Sequence, residues 1–150
     1  MKRNKLNSGP IVLTFCMLTL SFSISCNQPV LESAECVASR DSIKKFYSFH
    51  IGNDMTPSNA NLEKRRQYLS ERLVKEIAKE DDPKRDYFTQ SEDYPKTFRA
   101  GACETIGENR ASFEVVLFWR NDEKNTQREI KVEAVNVGEK WLIDKIEPKN

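Results

Sequence analysis

The alternation of apolar and polar positions divides the chain into stretches of different period. From Ile11 to Ile24 the residues are apolar on every side, diluted only by Thr14, Thr19, Ser21 and Ser23, and none is charged. A polar stretch follows. Then Ile43, Phe46, Tyr47 and His50 stand at i, i+3, i+4 and i+7, which predicts an amphipathic helix capped by Ser39 or Asp41 and stopped by Gly52-Asn53-Asp54. Pro57-Ser58-Asn59 predicts a loop. Leu62, Leu69, Leu73 and Ile77 supply the stripe of a second helical stretch over 61–80, which Ser70 can restart as a cap and Asp81-Asp82-Pro83 ends. Residues 84–97 are polar and aromatic without a clear period and predict a structured loop or short helical turn.

Beyond that point the period is two. Strands are predicted over Phe98–Ile106, Ala111–Trp119, Gln127–Val137 and Lys140–Ile146. Phe113, Val115, Leu117 and Trp119 share one face of the second, and Ile130, Val132 and Ala134 one face of the third. Gly107-Glu108-Asn109 and Gly138-Glu139 are hairpin-length turns, and Arg120–Thr126 reads as a longer loop. Helices first and a meander afterwards predict an α+β fold, with N-terminal helices packed on one face of a curved four-stranded antiparallel sheet.

The first apolar run is shorter than the roughly 20 residues a spanning helix needs. It follows Met1-Lys2-Arg3-Asn4-Lys5, so the pair reads as a secretory signal. Residues Phe22-Ser23-Ile24-Ser25-Cys26 resemble the lipobox of bacterial lipoproteins. That resemblance implies cleavage before Cys26 and acylation of its thiol with palmitate-type chains. Two or three chains anchor stably, each buried CH₂ contributing roughly 0.8 kcal/mol, whereas one is marginal. Ser23 stands where many lipoboxes carry Leu, and a soluble form cut near Ser25 by the ordinary signal peptidase is the alternative. The expected organisation is a signal peptide over 1–25, a lipidated cysteine and tether over 26–38, and an α+β domain over 39–150. Enteric-type lipoproteins are retained at the inner membrane by Asp after the cysteine. Asn27 stands there, which points to the outer membrane facing the periplasm.

Loss of residues 1–25 removes Lys2, Arg3 and Lys5 and no acid, turning a formal +1 into −2. A near-neutral mature chain lacks the basic footprint of a nucleic-acid binder. The Lys64-Arg65-Arg66 cluster is interleaved with Glu63 and Glu71 and reads as a solvated helix face. After lipidation of Cys26, the pair Cys36 and Cys103 is left in an oxidising compartment. A disulfide is the expectation and two separate buried thiols the alternative. The absence of Cys-x-x-Cys argues against redox catalysis and thiolate zinc.

Helices, a four-stranded sheet and the closing Lys140-Trp141-Leu142-Ile143-Asp144-Lys145-Ile146 strand resemble the nuclear transport factor 2-like superfamily, a cone-shaped α+β fold. Phe46-Tyr47, Tyr68-Leu69-Ser70-Glu71-Arg72-Leu73, Asp86-Tyr87-Phe88 and Asp93-Tyr94-Pro95 bring the likeness closer to bacterial envelope lipoproteins of that fold with no assigned activity. Enzymes of the superfamily work in the mouth of the cone with an Asp or His base and a Tyr or Asp donor. The candidates here are Tyr47, His50, Asp86, Asp93 and Tyr94. His50 is the only histidine, so a His-rich metal site is excluded. No Gly-rich phosphate loop and no nucleophile signature occur, and no cofactor or metal is expected. Two classes of function remain. The first is a tethered, non-catalytic module that binds another envelope protein, with Tyr87, Phe88 and Tyr94 as its recognition aromatics. The second is an isomerase-, dehydratase-like or hydrolytic enzyme using Tyr47, Asp86 and Asp93.

Overall fold

The computed structural model describes residues 31–80, 84–120 and 125–149. The expected signal peptide, Cys26 and the Asp81-Asp82-Pro83 stop lie outside the described residues. Helix α1 (Ala34–Ile51) begins at the N-cap Ser33, whose hydroxyl accepts the Cys36 N–H. This corrects the cap expected at Ser39 or Asp41. Both lie inside the helix, and residues 34–38, expected in the tether, form its first turns. Ser39 is buried and donates back to the Glu35 carbonyl, so its hydroxyl serves the helix interior and not its end. The apolar period misses these turns because a covalent link and not a stripe holds them: Cys36 sits at disulfide geometry with Cys103, Cα atoms 5.8 Å apart.

The second helical stretch is broken, as its sequence indicated, at Ser70. Helix α2 (Asn59–Arg65) is capped by Ser58 and runs into a 3₁₀ turn over Arg66–Tyr68. Helix α3 (Glu71–Ile77) is capped by Ser70, whose hydroxyl accepts the Leu73 N–H.

Strands β1 (Thr97–Gly107), β2 (Arg110–Arg120), β3 (Asn125–Val137) and β4 (Lys140–Pro148) form one antiparallel sheet in the order β1-β2-β3-β4. The architecture is the α+β one expected from the sequence. In β2 and β3, Ala111, Phe113, Val115, Leu117, Ile130, Val132 and Ala134 are fully buried. They pack beneath Ile43, Phe46 and Tyr47 of α1. The outer face carries charges beside the buried Ser112 and Val116 of β2. Glu114 pairs with Lys131, and Lys149 bridges Glu114 and Glu129 at 2.7 and 2.8 Å. At the β3–β4 turn Gly138 and Glu139 both take positive φ, as a two-residue hairpin requires.

The register of the sheet shifts at three places; besides the one between Thr105 and Gly107 at the end of β1, two bear on the packing. One lies between Ala100 and Cys103 in β1. A Cβ on Gly101 would come within 3.0 Å of the Glu114 carbonyl, so the close approach there requires glycine. The Arg40 guanidinium donates to the Ala100 and Gly101 carbonyls across the bulge. The other lets Ile143 and Ile146, three apart, both face inward: Ala134 pairs with Ile143 and Val132 with Ile146. The extra residue brings Asp144 against Ser70, whose hydroxyl donates to its carboxylate at 2.6 Å, and Arg72 and Arg110 pair with it too. Burial pushes the Asp144 carboxyl up, but these donors outweigh it and hold it below its ordinary value.

Candidate functional site

Beyond the C-terminal end of α1, three side chains form a buried chain of hydrogen bonds. His50 is fully buried, Arg65 is 2% exposed and Asp86 is 4% exposed. His50 Nε2 lies 2.9 Å from Asp86 Oδ2, and its Nδ1 lies 2.7 Å from Arg65 Nε. Arginine can only donate, so Nδ1 accepts and the imidazole proton sits on Nε2, donating to the carboxylate. Arg65 also donates to the Asn61 and Asp54 carbonyls at 2.8 Å each, and its guanidinium faces the Phe49 ring. Burial lowers its pKa from the ordinary arginine value, opposed by Asp86 and Asp54. Asp86 Oδ2 accepts a second bond from Thr89 N–H, 2.9 Å. The basic cluster read as a solvated face is therefore corrected at Arg65. The guanidinium turns inward because a buried histidine acceptor and two carbonyls meet it there.

A cleft of about 280 Å³ opens beside this chain. Its walls come from the loop Met55–Asn59, from α2 through Asn61, Leu62 and Arg65, from Ile77 and Glu80 at the end of α3, and from Asp86–Phe88. Among the described residues, none of a strand lines it. The space between α1 and the sheet, where a cone-mouth active site would lie, is filled by Phe46, Tyr47, Phe113 and Leu117, all fully buried. The cleft is thus a product of the helices and loops. Asp54 braces one wall by accepting from Thr56 N–H and Asn61 Nδ2, both at 2.9 Å, and these bonds lower its carboxyl from 3.8 to about 2.

Of the residues singled out in the sequence, Tyr47, His50 and Asp86 come together, and Asp93 stands apart from them. Tyr47 is buried and donates to the Phe88 carbonyl at 3.0 Å; burial, with Asp86 nearby, raises its phenol well above the ordinary value. Asp86 is engaged by His50. Asp93 is exposed at the other end of the loop, and its carbonyl accepts from Trp119 Nε1 at 2.9 Å. The recognition aromatics separate as well. Phe88 is core, meeting Phe46 and His50 edge-on at 5.0 Å each. That corrects its assignment to an exposed surface, and the cause is the tight turn from Asp86 to Ser91, which folds the ring inward. Tyr87 is half-buried, with its hydroxyl on Glu76 at 2.8 Å, and lines the cleft. Tyr94 is 40% exposed. Arg65 is the site residue that the sequence did not single out; His50 and Leu62 were visible in it as members of apolar stripes.

No family model matches the chain, and no curated protein matches it. Among solved structures, the chain is similar to a protein of unknown function from Bacteroides thetaiotaomicron VPI-5482, at 20% identity and a TM-score of 0.55, over 76% of this chain and 91% of that one. It is also similar to an Ntf2-like, potential transfer protein TraM from the Gram-positive conjugative plasmid pIP501. That likeness is at 15% identity and a TM-score of 0.48, over 76% of this chain and 97% of that one. The first likeness is one of fold alone.

Proposed function

We propose that the chain is a lipid-anchored module of the bacterial cell envelope that holds a partner protein at the cleft between α2, α3 and the Asp86–Phe88 turn. One observation carries the reading: the groups that could do acid–base work are already spent on one another. Both His50 nitrogens are engaged, Asp86 Oδ2 takes two bonds, and Tyr47 is tied to a carbonyl inside the core. A general base must reach a substrate proton; His50 and Tyr47 are held by these bonds, and of Asp86 only Oδ1 is left without a partner among the described residues. What stays accessible is a cleft of mixed lining, apolar at Met55, Leu62, Ile77 and Phe88 and polar at Asn61, Glu80 and Asp86, suited to recognition.

The tether supports the same reading. From Cys26 to Ser33 the chain extends at most about 25 Å. Helix α1 of 18 residues then leads about 27 Å to the cleft end. A domain tethered at Cys26 is confined to a layer near one membrane, which raises its effective concentration for partners in that layer. The reading places the anchor in the outer membrane facing the periplasm. The enzyme alternative, acting through Tyr47, Asp86 and Asp93, has less support because Asp93 is remote from the other two.

Intact-mass analysis of the exported protein tests the anchor. The expected N-terminus is acylated Cys26, and Cys26→Ser leaves an unprocessed or soluble form; an unmodified N-terminus elsewhere contradicts it. Photocrosslinkers in living cells test the partner. Tyr87, at the cleft, is expected to capture a specific envelope protein that Val137, at the β3–β4 turn, does not. Equal capture from both removes the cleft from the account.

A further inference from the structure

We infer that the cleft receives a basic side chain, a lysine or arginine of the partner, on the free oxygen of Asp86. The inference rests on the proposed binding role and names the chemistry recognised. Asp86 Oδ2 is taken by His50 and Thr89, whereas Oδ1 accepts nothing from any described residue. It is not sealed away either. Among the described residues, the buried side-chain polar atom with no partner is Thr89 Oγ1. An unpaired Oδ1 therefore touches solvent, and Asp86 lines the cleft.

Of the other charges lining the cleft, Arg65 opposes a cation and Glu80 favours one. Each nitrogen of Arg65 already donates, to His50 Nδ1, the Asn61 carbonyl and the Asp54 carbonyl, which turns its donors inward. Glu80 at the rim is exposed and adds a second carboxylate. Leu62 and Ile77 supply the apolar wall that the methylene stem of Lys or Arg covers while its head seeks an acceptor. Two carboxylates, Asp86 and Glu80, face one guanidinium, Arg65, in this lining, so a cation gains a charge-assisted hydrogen bond that a neutral or anionic group does not.

The test uses the exported Cys26→Ser chain with its cysteine pair oxidised, titrated with small probes and followed by amide chemical shifts. The probes are Nα-acetyl, C-terminal methylamide forms of lysine, arginine, Nε-acetyl-lysine and glutamate. The two cations are expected to shift Leu62, Tyr87 and Phe88 saturably. The neutral and anionic probes are expected to bind about tenfold more weakly or not at all. Asp86→Asn is expected to abolish the preference. Because Asp86 also pairs with His50, that variant can fail to fold, and two rim changes serve independently. Thr56→Trp, at an exposed lining position, is expected to block the probe, and Glu80→Gln to weaken the cations alone. Equal binding of neutral and cationic probes, stronger binding of glutamate, or cation shifts unchanged in Thr56→Trp overturns the proposal. Should any of these occur while the cleft crosslinker still captures its partner, the binding role stands and only the ligand chemistry falls.

Discussion

The Tyr47 hydroxyl donates to the Phe88 carbonyl at 3.0 Å, joining the middle of α1 to the turn that forms one wall of the cleft. Both groups are buried, so removing the donor strands the acceptor. Tyr47→Phe is expected to destabilise the domain by about 1–3 kcal/mol, read from denaturant unfolding. Burial also raises the Tyr47 phenol. A group whose folded pKa is raised contributes stability that is full below its unfolded value, near 10, and lost as pH climbs beyond it. Stability is therefore expected to fall in the alkaline range, where Tyr87, also raised by burial and Glu76, contributes beside Tyr47. Tyr47→Phe is expected to reduce that fall and leave the part due to Tyr87. Ordinary phenol titration of Tyr47 in the folded protein contradicts this.

The tautomer of His50 follows from Arg65 and is open to direct observation. Nitrogen-15 spectra of the imidazole at neutral pH are expected to show the proton on Nε2 and a bare Nδ1. Replacement by Phe removes the acceptor of Arg65 and the donor to Asp86 together, at an expected cost of about 3 kcal/mol or more. A loss below about 1 kcal/mol with the fold intact denies the network its structural role.

How much of this was legible in the sequence depended on range. Period-two alternation marked β3 because one of its faces is core and the other carries charge, whereas β2 buries Ser112 and Val116 on its second face as well. Ser70 was legible as a cap because capping is local. The Asp144 bulge was not: its cause is the need to bury both Ile143 and Ile146, and a spacing of three reads as nothing in a strand. Nor was the site. His50, Arg65 and Asp86 meet across separations of 15 and 36 residues, and Phe88 is core only because its turn folds the ring under α1. Tyr47 and Asp86 were recognised as notable residues, but their partners, the Phe88 carbonyl and His50, were not.

Asp54 makes the cleft wall sensitive to acid. Its bonds from Asn61 and Thr56 hold the carboxyl at about 2. A depressed carboxyl contributes fully above its unfolded value and loses that contribution as pH falls toward the folded one. The Asp54–Ser58 loop is expected to loosen between about pH 4 and pH 2. Carboxyl carbon-13 titration reads the value directly, and Asn61→Ala is expected to raise it. An Asp54 titrating in the ordinary range in both proteins contradicts the bracing role.

The Cys36–Cys103 link spans a sequence separation of 67. Closing such a loop is expected to stabilise by about 4 kcal/mol. Peptide mapping of the non-reduced protein is expected to recover the two cysteines joined, and reduction to lower the unfolding midpoint. Free alkylation of both in the native protein rules the link out.

Plugging the cleft in cells tests its role most directly. The wild-type lipidated protein and its Thr56→Trp variant, each carrying a photocrosslinker at Tyr87, are compared at equal abundance. The account expects Thr56→Trp to lose most of the specific capture while the unfolding midpoint and the cysteine link stay unchanged. Capture undiminished by the plugged cleft contradicts it.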